Sequence, residues 1–381
     1  MATSHWLQLA LTEGIGPILT SRLISTAGGA EAACQASASL LRSVEGIGPA
    51  KSQQIFDALR RAAAEVEPEL ARAEAAGVSL ICLEDEGYPE ILKLIPDPPP
   101  LLYVRGRLEP RDLNGFAIVG SRRCTHYGRE QAERFGALLA QAGFTVISGG
   151  ARGVDSAAHR GALAAPSGRT LAVLGCGVDV TYPQENQGLF EQIAARGAVI
   201  SEFPLSTAPL RENFPRRNRV ISGLARGVLV VEADIASGAL ITARQACDSH
   251  NRPVFAIPGR IDNAMSAGPH GLIRDGAVLV TSLEDIIDNL GPLPHQTTVL
   301  AADAPEATAP AAPEAAAPIL LDERQQRIVQ AIDLDPTSVD TIIGRTELPA
   351  EIVLQELTML SLRGVVKRGD NSKYMRKTRD G

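Results

Sequence analysis

Five cysteines are all that 381 residues contain: Cys34, Cys82, Cys124, Cys176 and Cys247. They are odd in number and scattered, no two form a CxxC pair, and no histidine stands at metal-ligand spacing. That pattern argues against a disulfide framework and against a structural zinc site. No apolar run approaches about 18 residues, and the opening MATSHWLQLALTEGIG lacks a basic stretch followed by an apolar one. The sequence therefore predicts a cytoplasmic protein with no membrane span. No G-x-G-x-x-G follows the first strand of the α/β region, so a dinucleotide is not supported, and no cofactor is expected. GIGPAKS (46–52) has the Lys-Ser of a phosphate loop, but Ala50 precedes the lysine and helical sequence surrounds it, which gives no indication of ATP hydrolysis. Aromatic residues make up only 4% of the chain, so a ligand must be held by charge and hydrogen bonds more than by stacked rings.

With 45% hydrophobic residues and a formal net charge of −7, the bulk of the chain reads as globular. The acidity does not decide the partner, because phosphate contact depends on where basic residues sit and not on their sum. Residues 115–290 alternate short β-branched runs with helical patterns: GFAIVG, FTVISGG, TLAVLG, AVISE, GVLVVEA, PVFAIPG and AVLVT. These runs are nearly all apolar, as parallel strands covered on both faces require. The fold class is α/β: a Rossmann-like, doubly wound, mostly parallel sheet.

Two flanking modules complete the organisation. LTEGIGPILTSRLI (11–24) and SVEGIGPAKSQQI (43–55) repeat an apolar residue, a glutamate and GIGP ahead of a helical run, which predicts a helix-hairpin-helix or SAM-like helical module. In AADAPEATAPAAPEAAAP (301–318), fourteen of eighteen residues are Ala or Pro, the composition of a linker. After it, three amphipathic segments and KRGDNSKYMRK predict a winged helix. The expected boundaries are 1–75 for the helical module, 76–291 for the core, 292–318 for the linker and 319–381 for the winged helix with its basic tail.

Ligands of open parallel sheets bind beyond the carboxyl ends of the strands. Polar, glycine-bearing turns cluster there: VGSR (119–122), SGGARGVD (148–155), SEFP (201–204), VVEA (230–233) and SGALITA (237–243). SGG opening a helix offers free N–H groups and the positive end of a helix dipole, a setting for phosphate with Arg122 and Arg152 beside it. Asp155, Asp179, Glu202, Glu232 and Asp234 fall near strand ends or helix starts. One of them could serve as nucleophile or general acid, and Asp155 and His159 would share a helix face; Asp155 equally suits a first helical turn. From Arg211 to Arg226 there are five arginines and one glutamate. Arg216, Arg217 and Arg219 fall in one turn beside Phe214, a combination that suits phosphates and an unpaired base. Single-stranded nucleic acid fits best.

The ordered series VGSR, SGGARGVD, GVDVTYP, SEFP, FPRRNRVISGL, VVEA with SGALITA, VFAIPG and GLIRDGA resembles the DNA-processing protein A family (DprA, also called Smf) across roughly residues 80–290. The resemblance implies a non-enzymatic, sequence-independent single-stranded DNA binder. It implies protection of incoming DNA in natural transformation, loading of the RecA recombinase, and a homodimer formed through the Rossmann-like domain. It places Arg122, Arg211, Phe214, Arg217 and Arg219 along the strand, with Ser148, Gly149 and Gly150 at a phosphate; Arg211 stands where relatives use lysine. With the strand-end turns, the candidate set is Gly120, Ser121, Arg122, Ser148, Gly149, Gly150, Arg152, Arg211, Phe214, Arg216, Arg217, Asn218, Arg219, Ser237 and Gly238. No catalytic residue and no metal ligand is assigned.

The rival is a nucleotide-processing enzyme of the phosphoribohydrolase kind with Glu232 as its carboxylate. Such enzymes carry a PGGxGTxxE pattern, and the corresponding turn here, ADIASGALITA, has no glutamate in that place. A third reading, a duplex-reading regulator, rests on the winged helix alone. Its presumed recognition helix carries Glu351 and Glu356 where basic or amide side chains are wanted, whereas Arg363–Gly381 holds seven Lys or Arg against two Asp.

Overall fold

A computed structural model describes residues 2–290, 322–333, 337–362, 365–369 and 373–376. The predicted linker, 292–318, and the end of the basic tail lie outside the described residues. The chain divides into two compact units, Met1–Gly291 and Pro292–Gly381.

The first unit is built on nine strands: β1 (Ser79–Cys82), β2 (Leu101–Gly106), β3 (Gly115–Val119), β4 (Thr145–Ser148), β5 (Arg169–Val173), β6 (Ala198–Ser201), β7 (Val228–Val230), β8 (Val254–Ala256) and β9 (Val278–Leu279). They lie side by side in the order β1-β2-β6-β5-β4-β3-β7-β8-β9. Every pairing from β6 to β9 is parallel, and these seven are the strands expected from the apolar runs. β1 and β2 extend the sheet antiparallel beyond β6. They escape a reading based on strand–helix alternation because no helix of crossover length joins them. From β3 the chain winds outward to β4, β5 and β6, then returns to place β7 on the other side of β3. The order of connection therefore reverses between β3 and β7, the switch point where a crevice opens at the strands' carboxyl ends.

Helices supply both covers. α1 (Ala2–Leu11), α2 (Pro17–Ala27), α3 (Ala30–Cys34), α4 (Ala38–Ser43) and α5 (Pro49–Ala75) precede the sheet, and α6 (Glu90–Lys93) lies between β1 and β2. α7 (His126–Gln141), α8 (Val154–Ala164), α9 (Gln187–Arg196), α10 (Asn213–Gly223), α11 (Gly238–Arg244) and α12 (Ala267–Arg274) connect the parallel strands in turn, and α13 (Leu283–Leu290) follows β9. Alternate strand residues point to opposite faces. Leu102, Val104, Val119, Ile147 and Val173 join Val220 and Ile221 of α10 in one core. Leu101, Tyr103, Ala172 and Val199 join Phe190 and Ile193 of α9, together with Trp6 and Leu7 of α1 and Val66 of α5, in another. The helical segment is thus packed on the sheet through α1 and α5. Its two GIGP turns are built alike: Gly14 and Gly46 take φ of 86° and 91°, and Gly16 and Gly48 cap α2 and α5 with proline at the first helical position. A left-handed glycine followed by proline where no N–H is needed explains why the motif recurs.

The second unit has α14 (Glu323–Ala331), α15 (Val339–Thr346) and α16 (Ala350–Leu362), with β10 (Thr337–Ser338), β11 (Val366–Gly369) and β12 (Lys373–Arg376) in an antiparallel sheet ordered β10-β12-β11. Ile328, Ile342, Val353, Leu357 and Tyr374 form its core. This is the winged helix. Asp322 and Gln325 form a capping box at the start of α14, and Gln325 also donates to the Glu356 carboxylate at 2.9 Å, so Glu356 braces the α14–α16 contact. Among the described residues no helix is long and apolar enough to cross a membrane.

Candidate nucleic-acid interface

The crevice at the switch point is a cavity of about 290 Å³. Its walls are the turn after β3 (Gly120, Ser121, Arg122, Arg123), the start of α8 (Asp155), the face of α10 (Phe214, Arg217, Asn218) and the turn opening α11 (Ser237, Gly238). Eight of the fifteen candidates meet here: Gly120, Ser121, Arg122, Phe214, Arg217, Asn218, Ser237 and Gly238.

Close stacking of loops makes the crevice. A Cβ on Gly120 would come within 2.6 Å of Val154, and one on Gly153, at φ 76°, within 2.4 Å of the Ser121 carbonyl. Only glycine lets the turn after β3 lie against the turn after β4. Ser121 N donates to Glu232 O at 2.6 Å, and Val154 N donates to Ser121 O at 3.3 Å. Ser148 and Gly149 lie beneath this layer: the Ser148 hydroxyl, fully buried, donates to Ile118 O at 2.6 Å. Gly150, at φ 66°, faces Phe190, which a Cβ would approach to 2.6 Å. The Asp155 carboxylate accepts from Ala151 N at 3.3 Å across the turn.

α10 resolves the arginine cluster. Successive helical residues turn by about 100°, so Arg216, Arg217 and Arg219 enter three different surroundings. Arg216 is exposed, its guanidinium 5.4 Å from the Phe203 ring centroid. Arg217 is 4% exposed and turns inward, donating to Gly149 O at 2.7 Å and, by a short bond, to Val173 O. Arg219 is 7% exposed and pairs with Glu202 at 2.5 Å and Asp97 at 3.1 Å. Neither Arg216 nor Arg219 lines the crevice. Arg211 is exposed ahead of the helix, and Arg152, though exposed, is held by Glu185 through two bonds of 2.5 Å. Arg122 is exposed and lies over the Phe214 ring, 4.7 Å from its centroid, and Tyr182 flanks the same ring at 5.7 Å. A cation over an aromatic face is stabilised by the ring quadrupole, and the pair presents charge and a flat surface together.

Arg123, Asp155 and Thr242 line the crevice without being among the candidates. Arg123 adjoins the VGSR motif, and its adjacency is the sequence signal for it; the sequence signals of Asp155 are those of a catalytic carboxylate or of an acidic residue in a first helical turn. Burial raises the Asp155 pKa against the pull of Arg217. Burial also lowers the Arg217 pKa to about 10, with Asp155 opposing, so Arg217 stays a cation at neutral pH.

The carboxylate of the enzymatic rival is differently engaged. Glu232 is 2% exposed. It accepts from Thr125 N and Thr125 Oγ1, each at 2.7 Å, and from Asn263 Nδ2 at 3.3 Å. Three donors leave it poorly placed to attack or protonate anything. Asp179 accepts from Ser206 N and Oγ, and Asp234 accepts from Ala236 N. His159 donates Nδ1–H to Thr170 Oγ1 at 2.7 Å, because that hydroxyl itself donates to Val146 O; burial holds its pKa down to about 3.

A larger cavity, about 780 Å³, lies at the strands' amino ends. Its Arg196 donates to the carbonyls of Leu163, Ala165, Pro166 and Gly168, which close α8. Its Arg169 is paired with Asp112 and Glu109. The carboxyl ends of α8 and α9 both face it, and their dipoles oppose an anion. The smaller crevice, with helix amino ends and the exposed Arg122 and Arg123, is the one suited to phosphate.

The family model described as DNA recombination-mediator protein A matches residues 79–291, and that described as the DprA winged helix domain matches residues 306–371. The chain is 35% identical to protein Smf of Synechocystis over 98% of each chain, and 40% identical to protein Smf of Escherichia coli over 78% of each. It is 43% identical to DNA processing protein DprA of Streptococcus pneumoniae over 53% of this chain and 71% of that one. The X-ray structure of the Streptococcus pneumoniae protein superposes with a TM-score of 0.63 at 33% identity, covering 76% of this chain and 98% of that one. With the sheet order, the winged helix and near full-length similarity in agreement, this chain belongs to the DNA processing protein A (DprA/Smf) family of DNA recombination mediators.

Proposed function

We propose that this chain binds single-stranded DNA without sequence preference, shields incoming strands and hands them to the RecA recombinase during natural transformation. In this reading it works in the cytoplasm as a homodimer joined through the Rossmann-like domain and carries out no covalent chemistry. The observation that carries the binding step is the Arg122–Phe214 stack standing over a cavity of about 290 Å³ among helix amino ends. A crevice of that size can take a phosphate or a single unstacked base. The guanidinium stacked on the ring offers a flat face that any base can use and a charge for phosphate, so neither selects sequence. Strand hand-over, dimerisation and the setting in transformation are proposed on the strength of the family resemblance alone. Glu232, bonded to three donors, supports binding over hydrolysis.

The test is affinity for an oligothymidylate and for a duplex of equal length across a salt series. The single strand should bind more tightly, with log affinity falling by about 0.7 per neutralised phosphate for each log unit of salt. Arg122→Ala, at an exposed residue, should weaken binding without lowering the melting temperature. Equal affinity for duplex, or indifference to salt, would defeat the proposal.

A further inference from the structure

Arg217 lies in the floor of the crevice, yet its hydrogen bonds go to the protein. Its guanidinium joins Gly149 O, just past the end of β4, to Val173 O, at the end of β5. Its Nε donates to Asn218 Oδ1 at 3.4 Å, and Asn218 Nδ2 donates onward to Gly238 O at 3.3 Å, in the turn after β7. One cation and its neighbour thereby tie the ends of β4 and β5 to the start of α11. The guanidinium also lies 6.0 Å from the Phe214 ring centroid, supporting the ring that Arg122 covers.

Asp155 completes the arrangement. A Cβ on Gly149 would fall 2.6 Å from Arg217 Nη2 and 2.7 Å from Asp155 Oδ2, so Gly149 is gripped between cation and carboxylate. A buried carboxylate in a phosphate site would repel its ligand unless neutralised, and Arg217 is the neutralising charge. The floor thus sets one cation and one carboxyl group on either side of Gly149. The uncompensated positive charge stands at the rim, on Arg122 and Arg123.

We infer that Arg217 and Asp155 are positioning residues that do not touch the strand: together they hold the Ser148–Gly153 turn and the Phe214 ring in the geometry that grips DNA, while Arg122 and Arg123 meet the phosphates. This rests on the proposed single-strand binding. Removing a phosphate contact lowers both affinity and its salt slope, whereas removing a brace lowers affinity alone.

The experiment measures fluorescence anisotropy of a labelled oligothymidylate across a salt series with the full chain. Its variants are Arg122→Ala, Asp155→Asn and the double variant Arg217→Gln with Asp155→Asn, which leaves the floor neutral. Melting curves establish that each is folded at the assay temperature. The double variant should bind about tenfold more weakly, the order set by losing buried charge-assisted hydrogen bonds, on a log–log line parallel to the parent's. Arg122→Ala should flatten the line by about 0.7. A double variant with a slope flattened by about 0.7 would place Arg217 on a phosphate and overturn the inference, as would unchanged affinity. Asp155→Asn alone should weaken binding; tighter binding would mean that the carboxylate merely repels the strand. That single isosteric change decides the matter if the double variant does not fold. If Arg122→Ala alters neither affinity nor slope, the single-strand reading of the crevice fails instead.

Discussion

Gly149→Ala subjects the floor of the crevice to the smallest steric change available. The backbone there is not in the left-handed region, so an added methyl meets no conformational penalty and its effect is one of space. It would sit 2.6 Å from Arg217 Nη2 and 2.7 Å from Asp155 Oδ2, inside the 3.4 Å at which ordinary contact begins. A guanidinium at the end of a free side chain would swing away at little cost. This one is 4% exposed and bonded to two carbonyls, and Asp155 is bonded to Ala151 N. Overpacking of this kind costs about 1–3 kcal/mol, against a gain of about 0.4–1 kcal/mol from a less flexible unfolded chain. The net loss, centred near about 1.3 kcal/mol, corresponds to a fall in melting temperature of about 3–5 °C for a unit of this size. Gly238→Ala is the control, because a Cβ there meets nothing within 4 Å. Thermal unfolding of the two variants beside the parent, followed by strand-binding anisotropy, makes the measurement. An unchanged melting temperature and affinity for Gly149→Ala would show that the Arg217–Asp155 pair yields freely, and the account of a held floor would be refuted.

Arg219→Ala should be more damaging to the fold, by about 3–5 kcal/mol, because it strands buried Glu202 and part-buried Asp97 without their cation; a urea midpoint equal to the parent's would contradict this. Acid should destabilise the first unit through His159. Its folded pKa of about 3 lies below the 6.5 or so of an unfolded imidazole, so between these values the unfolded chain binds more protons. Stability then falls with falling pH by up to about 1.4 kcal/mol per unit. The raised pKa values of Asp155 and Glu202 act in the opposite sense above the ordinary carboxylate range. Urea midpoints at pH 7 and pH 5 should differ in the parent and converge in His159→Gln; an equal drop in both would remove His159 as the cause.

The parallel half of the sheet was legible because strands buried on both faces must be apolar throughout, as GFAIVG and TLAVLG are. SLIC and LLYVRG were not, since they extend the sheet antiparallel with no crossover helix to frame them. At the site, glycine turns announced the strand ends, and the aromatic beside arginines announced the groove. What the sequence could not disclose was which arginine has a partner. Asp97 and Glu202 reach Arg219 from the segment before β2 and the end of β6, and Arg217 answers to backbone carbonyls, which every residue possesses. Apparent crowding of charge within one turn was misleading for the same reason: a helix fans neighbours apart, and tertiary partners neutralise them separately. Arg169 and Arg196, ordinary in sequence, likewise prove to be fastenings at the other end of the sheet.

Glu232 has a consequence for how the crevice meets a ligand. Its carboxylate fastens the loop after β3, through Thr125, to the loop after β8, through Asn263, while Gly128 in the first turn of α7 leaves it room to lie against the helix. Loops that usually drift independently are here one body, so the wall of the crevice that carries Arg122 and Arg123 is held in place before anything enters. Under the proposed function, the ordering entropy of association then falls on the nucleic acid and its exposed arginine contacts and not on the protein's loops. A flexible strand threading a ready-made slot should associate quickly and be retained or lost according to contacts at the rim.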